Sequence, residues 1–287
     1  MKKTTAFLLL LFLLLQGKAQ YSSIFWKISG NGLEHPSYLF GTMHTGDARV
    51  FDNVKRAMPY LTDAKAFVME LDPDKLFDVG LLGKIMMGKD YSLRKMITAG
   101  DYSFLDSVVT QQIGMPLAMM DNVQPVFVMT ILESMEMGLN SDTTNGTREI
   151  MDLYFYNEAK DEKKKIIGIE TVEEQLGALN TLSYEEQATM LSDDIKSLKT
   201  KGNDGRDVLK FYMEQNLDSL AGSDDDMPPK LYKALVTDRN ERMADRIAKF
   251  VKQQATFIAI GALHLPFKGG VIELLRQRGF TVEPVRN

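Results

Sequence analysis

Phe40-Gly41-Thr42-Met43-His44-Thr45-Gly46-Asp47 and Ile260-Gly261-Ala262-Leu263-His264-Leu265-Pro266-Phe267 each hold one of the chain's 3 histidines, both in the frame Gly-x-x-His. Each copy follows a short run with strand character, Ser37-Tyr38-Leu39-Phe40 in the first and Thr256-Phe257-Ile258-Ala259-Ile260 in the second. Each is followed by a helix-like stretch, 53–64 or 270–278, and then by a second apolar run, 66–70 or 280–282. Strand, His loop, helix and strand form a repeated unit, and strands alternating with helices are the pattern of a sheet covered by helices.

Outward from the repeats, residues 25–28 and 38–40 flank the turn-rich stretch 29–37 and predict a hairpin. Residues 66–71, 165–170, 256–260 and 280–285 supply further strands, each rich in Val, Ile or Phe. Most of the rest reads as helix: 125–139, nearly all apolar; 148–161, with Thr147 as N-cap; 183–199, opened by the capping signal Ser183-x-x-Glu186; 206–220; and 230–254. Residues 221–229 are acidic and contain two prolines, without the Gly-turned, Glu-ended pattern of a calcium loop, and predict a solvated linker. The 18 methionines fall mostly on apolar faces and read as core filler. The expected class is α/β or α+β: a central mixed β-sheet built from two strand-GxxH-helix-strand units, with a helical middle region capping it. Residues 20–287 are expected to form one domain, with helical insertions at about 73–160 and 175–254.

The first 19 residues have a basic start, a run of ten apolar residues and a small-residue end at Ala19, the features of a secretory leader. Spanning a bilayer takes about 20 apolar residues, so no membrane span is expected once the leader is removed. The expected location is periplasmic or secreted. Cysteine is absent, so stability comes from packing without disulfides. Net charge is −5 with the leader's lysines included, which argues against a nucleic-acid partner.

Imidazole is a common ligand for divalent metals, and a two-His site needs carboxylates to complete it. Glu70 closes Phe67-Val68-Met69-Glu70-Leu71-Asp72 and Glu170 closes Ile166-Ile167-Gly168-Ile169-Glu170-Thr171, each at the carboxyl end of an apolar strand, as are His44 and His264. In open α/β sheets, ligands collect at that edge. Glu170 has a plainer reading as a first-turn residue of the helix that follows. His35 falls in the hairpin turn and reads as solvent-facing. Arg239 and Asn240, in the run Asp238-Arg239-Asn240-Glu241-Arg242, read either as a solvated helix face or as groups reaching the site, where a guanidinium would orient a carboxylate or bind an oxyanion. A Gly-x-Ser-x-Gly elbow and a phosphate-cradling glycine loop are both absent.

Taken together, Gly41-Thr42-Met43-His44, Met69-Glu70-Leu71, residues 167–176, Arg239 to Ala244 and Gly261 to Leu265 resemble the TraB/GumN family, whose relatives include the TIKI metalloproteases. The resemblance implies a mixed sheet with helices and metal-dependent cleavage of a peptide bond in a peptide or protein substrate. The implied cofactor is a divalent ion, manganese, cobalt or zinc. It also implies His44, His264 and Glu70 as metal ligands, with Glu70, Glu170, Arg239 and Asn240 as catalytic candidates. Leu265-Pro266-Phe267-Lys268 departs from the short glycine-containing stretch usual after the second His. Two other classes remain open: a non-catalytic envelope protein that holds a peptide or metal ion in the same cleft, and a structural protein whose paired His are strand caps.

Overall fold

Left-handed backbone at Gly30, Asn31 and Gly32 turns the chain between β1 (Phe25–Ser29) and β2 (Ser37–Thr42), which pair antiparallel with Phe25 opposite Phe40. A computed structural model describes residues 21–75, 83–136, 149–201, 205–221 and 227–286. The leader, Thr147 and most of the acidic linker lie outside the described residues. The remaining strands are β3 (Ala66–Met69), β4 (Lys165–Gly168), β5 (Thr256–Gly261) and β6 (Thr281–Pro284). They complete a six-stranded mixed sheet in the order β4-β3-β5-β2-β1-β6. β1 runs antiparallel to both its neighbours, whereas β2, β5, β3 and β4 pair in parallel.

Both predicted units are present. The first runs from β2 through α1 (Phe51–Asp63) to β3, and it passes β5 on the way. The second runs from β5 through its own helix (Val271–Gln277) to β6, passing β2 and β1 in the other direction. β2 and β5 are therefore neighbours whose connections leave in opposite directions. Right-handed crossovers then put the two helices on opposite faces, and a crevice opens beyond the carboxyl ends of the two strands.

Burial follows composition. Phe51, Val54, Ala57 and Leu61 form the buried stripe of α1. β2, β3 and β5 are covered on both faces, as a parallel sheet between helices requires. Phe40, Phe67, Phe155 and Phe257 meet in the core, with the Phe40 and Phe155 ring centres 5.1 Å apart. The main core also takes in α4 (Met151–Asp161), reached after two helices of the middle region, α2 (Ala99–Ile113) and α3 (Pro125–Glu136). A second apolar cluster joins residues 87–132 to Ala188, Leu191 and Ile195, the latter three from α6 (Tyr184–Lys201), which follows α5 (Val172–Leu179).

Two helices differ from expectation. The stretch 206–220 is interrupted, with α7 (Gly205–Met213) and Leu217–Ala221 separated by Gln215 in the left-handed conformation. The stretch 230–254 contains a π-helical turn, Lys233–Thr237, just before α8 (Asp238–Val251). Such turns widen a helix and often stand beside functional groups. The helix after β5, Val271–Gln277, is α9. The Ser183–Glu186 capping box forms as expected, with reciprocal bonds of 2.7 and 3.2 Å.

Candidate functional site

Parallel pairing puts Thr42 opposite Gly261, so the two His loops leave the sheet side by side. Their glycines serve that proximity. A Cβ on Gly41 would stand 2.7 Å from Leu265 Cδ1 and 3.0 Å from the Ala262 Cα, so the first loop packs on the second only without a side chain there. A Cβ on Gly261 would press on Glu70 Oε1 at 3.1 Å, and the Gly261 N–H donates to that oxygen at 2.7 Å.

Both histidines have a defined tautomer. Asn240 Nδ2 donates to the Gly269 carbonyl at 2.8 Å, and a carbonyl can only accept, so Asn240 turns Oδ1 to His264 Nδ1, 2.6 Å away. His264 Nδ1 therefore carries the proton, and the lone pair of the neutral ring is on Nε2. His44 Nδ1 lies 2.8 Å from Asp152 Oδ2 and donates to it, while Thr42 Oγ1 donates to Asp152 Oδ1 at 2.7 Å. The ring of His264 is 10% exposed and that of His44 65%. Burial lowers the His264 pKa below the ordinary histidine value, with Glu70 opposing the shift.

Glu70 follows β3 and Glu170 follows β4, and Arg239 joins them. Its Nη2 donates to Glu70 Oε2 at 2.7 Å and to Glu170 Oε2 at 2.6 Å, and its Nε reaches Glu170 at 2.9 Å. Arg242 at 3.4 Å and Gln175 at 3.2 Å complete the cover on Glu170, which is fully buried. Burial works against the charge on Glu70, but His264, Arg239 and His44, with the Gly261 N–H, outweigh it and hold the carboxyl at about 2. The first-turn reading of Glu170 does not hold. Thr171 is the N-cap of α5, Glu174 closes its capping box, and Glu174 also takes Arg246 in a two-pronged pair at 2.7 and 2.6 Å.

The structure thus joins Glu70, Glu170 and Arg239 in one network, sets His264 Nε2 3.8 Å from Glu70 Oε1, and makes Asn240 the holder of His264 rather than a group facing solvent. His44 acts electrostatically on both Glu70 and His264. His35 lines a separate hollow with Tyr38, Tyr60 and Asp63. Among the described residues, no group of three or more His, Cys, Asp or Glu converges closely enough to hold a metal ion. Each of the two imidazoles gives its Nδ1–H to an acceptor, the arrangement that orients ligating imidazoles in metal sites.

Sequence reasoning missed Asp152, Gln175 and Arg242. It also missed Tyr212, whose buried hydroxyl donates to the Gly41 carbonyl at 2.7 Å and ties α7 to the first His loop. Asn240 carried a usable signal: it is the one polar member of the buried stripe Asn240, Met243, Ala244, Ile247 and Val251. Nothing local marks Asp152 within its helix.

A family description, TraB/PrgY/gumN family, matches residues 24–284. The chain belongs to this family. Curated relatives include Metalloprotease TIKI2 of Xenopus tropicalis, 26% identical over 86% of this chain and 57% of the relative. Metalloprotease TIKI2 of Danio rerio is 25% identical over 91% and 61%, and Metalloprotease TIKI1 of Homo sapiens 24% identical over 93% and 62%. The TraB/PrgY/gumN chain described here therefore spans about three fifths of the length of these relatives. No solved structure matches it. Among the described residues, no helix is long and apolar enough to cross a membrane.

Proposed function

We propose that the chain is an exported, metal-dependent hydrolase that cleaves a peptide bond, with His44, His264 and Glu70 holding a divalent ion, manganese, cobalt or zinc. The observation that supports this reading is the pair of imidazoles, each giving its Nδ1–H to an acceptor, beside a carboxylate kept ionised at the switch point of the sheet. A bound divalent ion supplies an acidified water and polarises a carbonyl. The chain's own groups do the remaining work. Asp152 and Asn240 keep the ring lone pairs on Nε2. Arg239 offers a guanidinium where charge would develop on a carbonyl oxygen. Glu170, closed off beneath Arg239, Arg242 and Gln175, suits fixing that guanidinium better than touching substrate. The Arg239 guanidinium and the Gly261 N–H keep Glu70 ionised, the form in which a carboxylate binds a metal ion. Removal of a leader near Ala19 would account for export, and an exported chain beginning near Gln20 by mass spectrometry checks it.

A second reading, a binding protein that holds a peptide or metal ion without cleaving it, is favoured by the pairing of both carboxylates with Arg239. Metal content by elemental analysis, together with turnover of a peptide library before and after chelation, separates the two. The hydrolase reading expects bound metal in wild type and in His35→Ala, its loss in His44→Ala and His264→Ala, and cleavage that returns with added metal. Equal metal content in all four proteins would sink it. Bound metal with no cleavage would leave the binding protein.

A further inference from the structure

The hollow beside Tyr38 and Tyr60 opens at the amino ends of the parallel strands, the opposite edge of the sheet from His44, Glu70 and His264. Tyr38 stands near the start of β2, Lys65 directly precedes β3 and Thr256 opens β5, while the last turn of α1 adds Tyr60 and Asp63. The hollow holds about 330 Å³, room for a small ligand. Its backbone frame is closed. The Thr256 N–H donates to Ser37 Oγ at 3.0 Å, the Lys65 N–H to the Ala255 carbonyl at 2.9 Å and the Ala64 N–H to the Leu61 carbonyl at 3.1 Å.

Its side chains are fixed but not satisfied. The Tyr38 and Tyr60 rings touch, with centres 4.5 Å apart, and both pack on Phe25, at 5.8 and 5.1 Å. Among the described residues, no hydrogen bond or ion pair reaches the Asp63 carboxylate or the two tyrosine hydroxyls. Nor does α1 gain from Asp63, its last residue, because the carboxyl end of a helix is the negative end of its dipole and disfavours a carboxylate. That end attracts cations instead: Lys164 Nζ donates to the Thr62 and Ala64 carbonyls at 2.7 and 2.8 Å. Lys164 is already paired with Glu162 at 3.0 Å, and Lys65 makes no ion pair with Asp63, so the Asp63 charge stays uncompensated. Burial, together with the nearby Tyr60 and Asp63, raises the Tyr38 pKa above the ordinary tyrosine value, so the negative field of Asp63 extends into the hollow. An uncompensated carboxylate beside aromatic rings and hydroxyls that can accept hydrogen bonds suits a cation on an apolar stem. An anion would meet Asp63, and a wholly apolar ligand would cover its charge without pairing it.

We propose that this hollow binds an organic cation, an ammonium or guanidinium group on an alkyl stem, with Asp63 taking the charge and Tyr38 and Tyr60 the stem. The inference is independent of the chemistry at the other edge of the sheet. Calorimetric titration of the full chain, wild type, Asp63→Asn and Tyr60→Leu, tests it with three probes: agmatine, N-acetyl-arginine amide and the uncharged isostere N-acetyl-citrulline amide. Wild type should bind agmatine at millimolar concentrations and should not bind the citrulline compound. Asp63→Asn and Tyr60→Leu should each weaken agmatine by about tenfold, the scale of a charge or ring contact partly shielded from water. Asp63 is exposed, so Asp63→Asn should unfold at the wild-type temperature, and it decides the matter if Tyr60→Leu does not fold. Binding of the arginine compound as well as agmatine supports a polypeptide side chain as the source of the cation, and binding of agmatine alone supports a free amine. Equal binding of the citrulline compound, undiminished binding by Asp63→Asn, or no binding of either cation overturns the proposal and leaves Asp63 a solvated surface group.

Discussion

The two Gly-x-x-His loops share a sequence frame and leave neighbouring parallel strands, yet their imidazoles stand in different surroundings. His44 is largely exposed and is held by a carboxylate, Asp152, from the first turn of α4. His264 is buried, is held by an amide, Asn240, from α8, and faces Glu70 across 3.8 Å. The glycines differ as well, since Gly41 makes room for the opposite loop and Gly261 receives a carboxylate. A repeated motif therefore fixes where the backbone goes. What surrounds each side chain is decided by the helix that the crossover and the helical middle bring to it.

The largest effect should come from the buried charge network on the His264 side. Arg239→Met leaves Glu70 and Glu170 without their shared guanidinium and should cost about 3–5 kcal/mol, read as a fall in the urea midpoint. An unchanged midpoint would mean that this side is not built on charge at all. Gly41→Ala comes next. Its Cβ meets Leu265 and Ala262, and the overpacking should cost about 1–3 kcal/mol, whereas a neutral result would show that the two loops do not touch.

Replacing the histidines tests the asymmetry directly. His264→Ala strands the buried Asn240 carbonyl oxygen and should cost about 1–3 kcal/mol. His44→Ala exposes its partner to water and should stay within about 0.5 kcal/mol. Equal losses in thermal or urea unfolding would erase the distinction between the loops.

The smallest effect near neutral pH concerns acid. Glu70 and Glu174 are both held at about 2 in the folded chain, against an ordinary carboxyl value of about 4.5. For Glu174 the Arg246 side chain is the largest cause. A depressed pKa contributes stability that is present above the unfolded value and is lost as pH falls through the folded one. Stability should therefore decline between about pH 4.5 and 2, and Glu174→Gln should flatten part of that slope in urea titrations at stepped pH. An identical slope in the variant would remove the Arg246 pair from the account.

Much of the architecture was legible because it depends on local patterning. Short Val, Ile and Phe runs, turn residues between them and helical spacing elsewhere fix the strands and the two units. Glu70 was legible for the same reason, as a carboxylate closing an apolar strand. The break at Gln215 and the π turn at Lys233–Thr237 were not, since both are departures from helix that the local sequence does not mark. The role of Asn240 was half visible, as a polar residue on an apolar stripe, but its partner was not.

By itself the sequence determined that two Gly-x-x-His loops and two strand-end carboxylates occupy one edge of one sheet, because side-chain periodicity and turn chemistry act over a few residues. The tertiary structure alone decided that β2 and β5 are neighbours with opposed crossovers, that Arg239 bridges Glu70 and Glu170, and that Asp152 and Asn240 divide the histidines between a carboxylate and an amide. Those partners lie 24 to 169 positions apart in the chain. What joins them is the shared burial of the strands and helices that carry them, which no local pattern records.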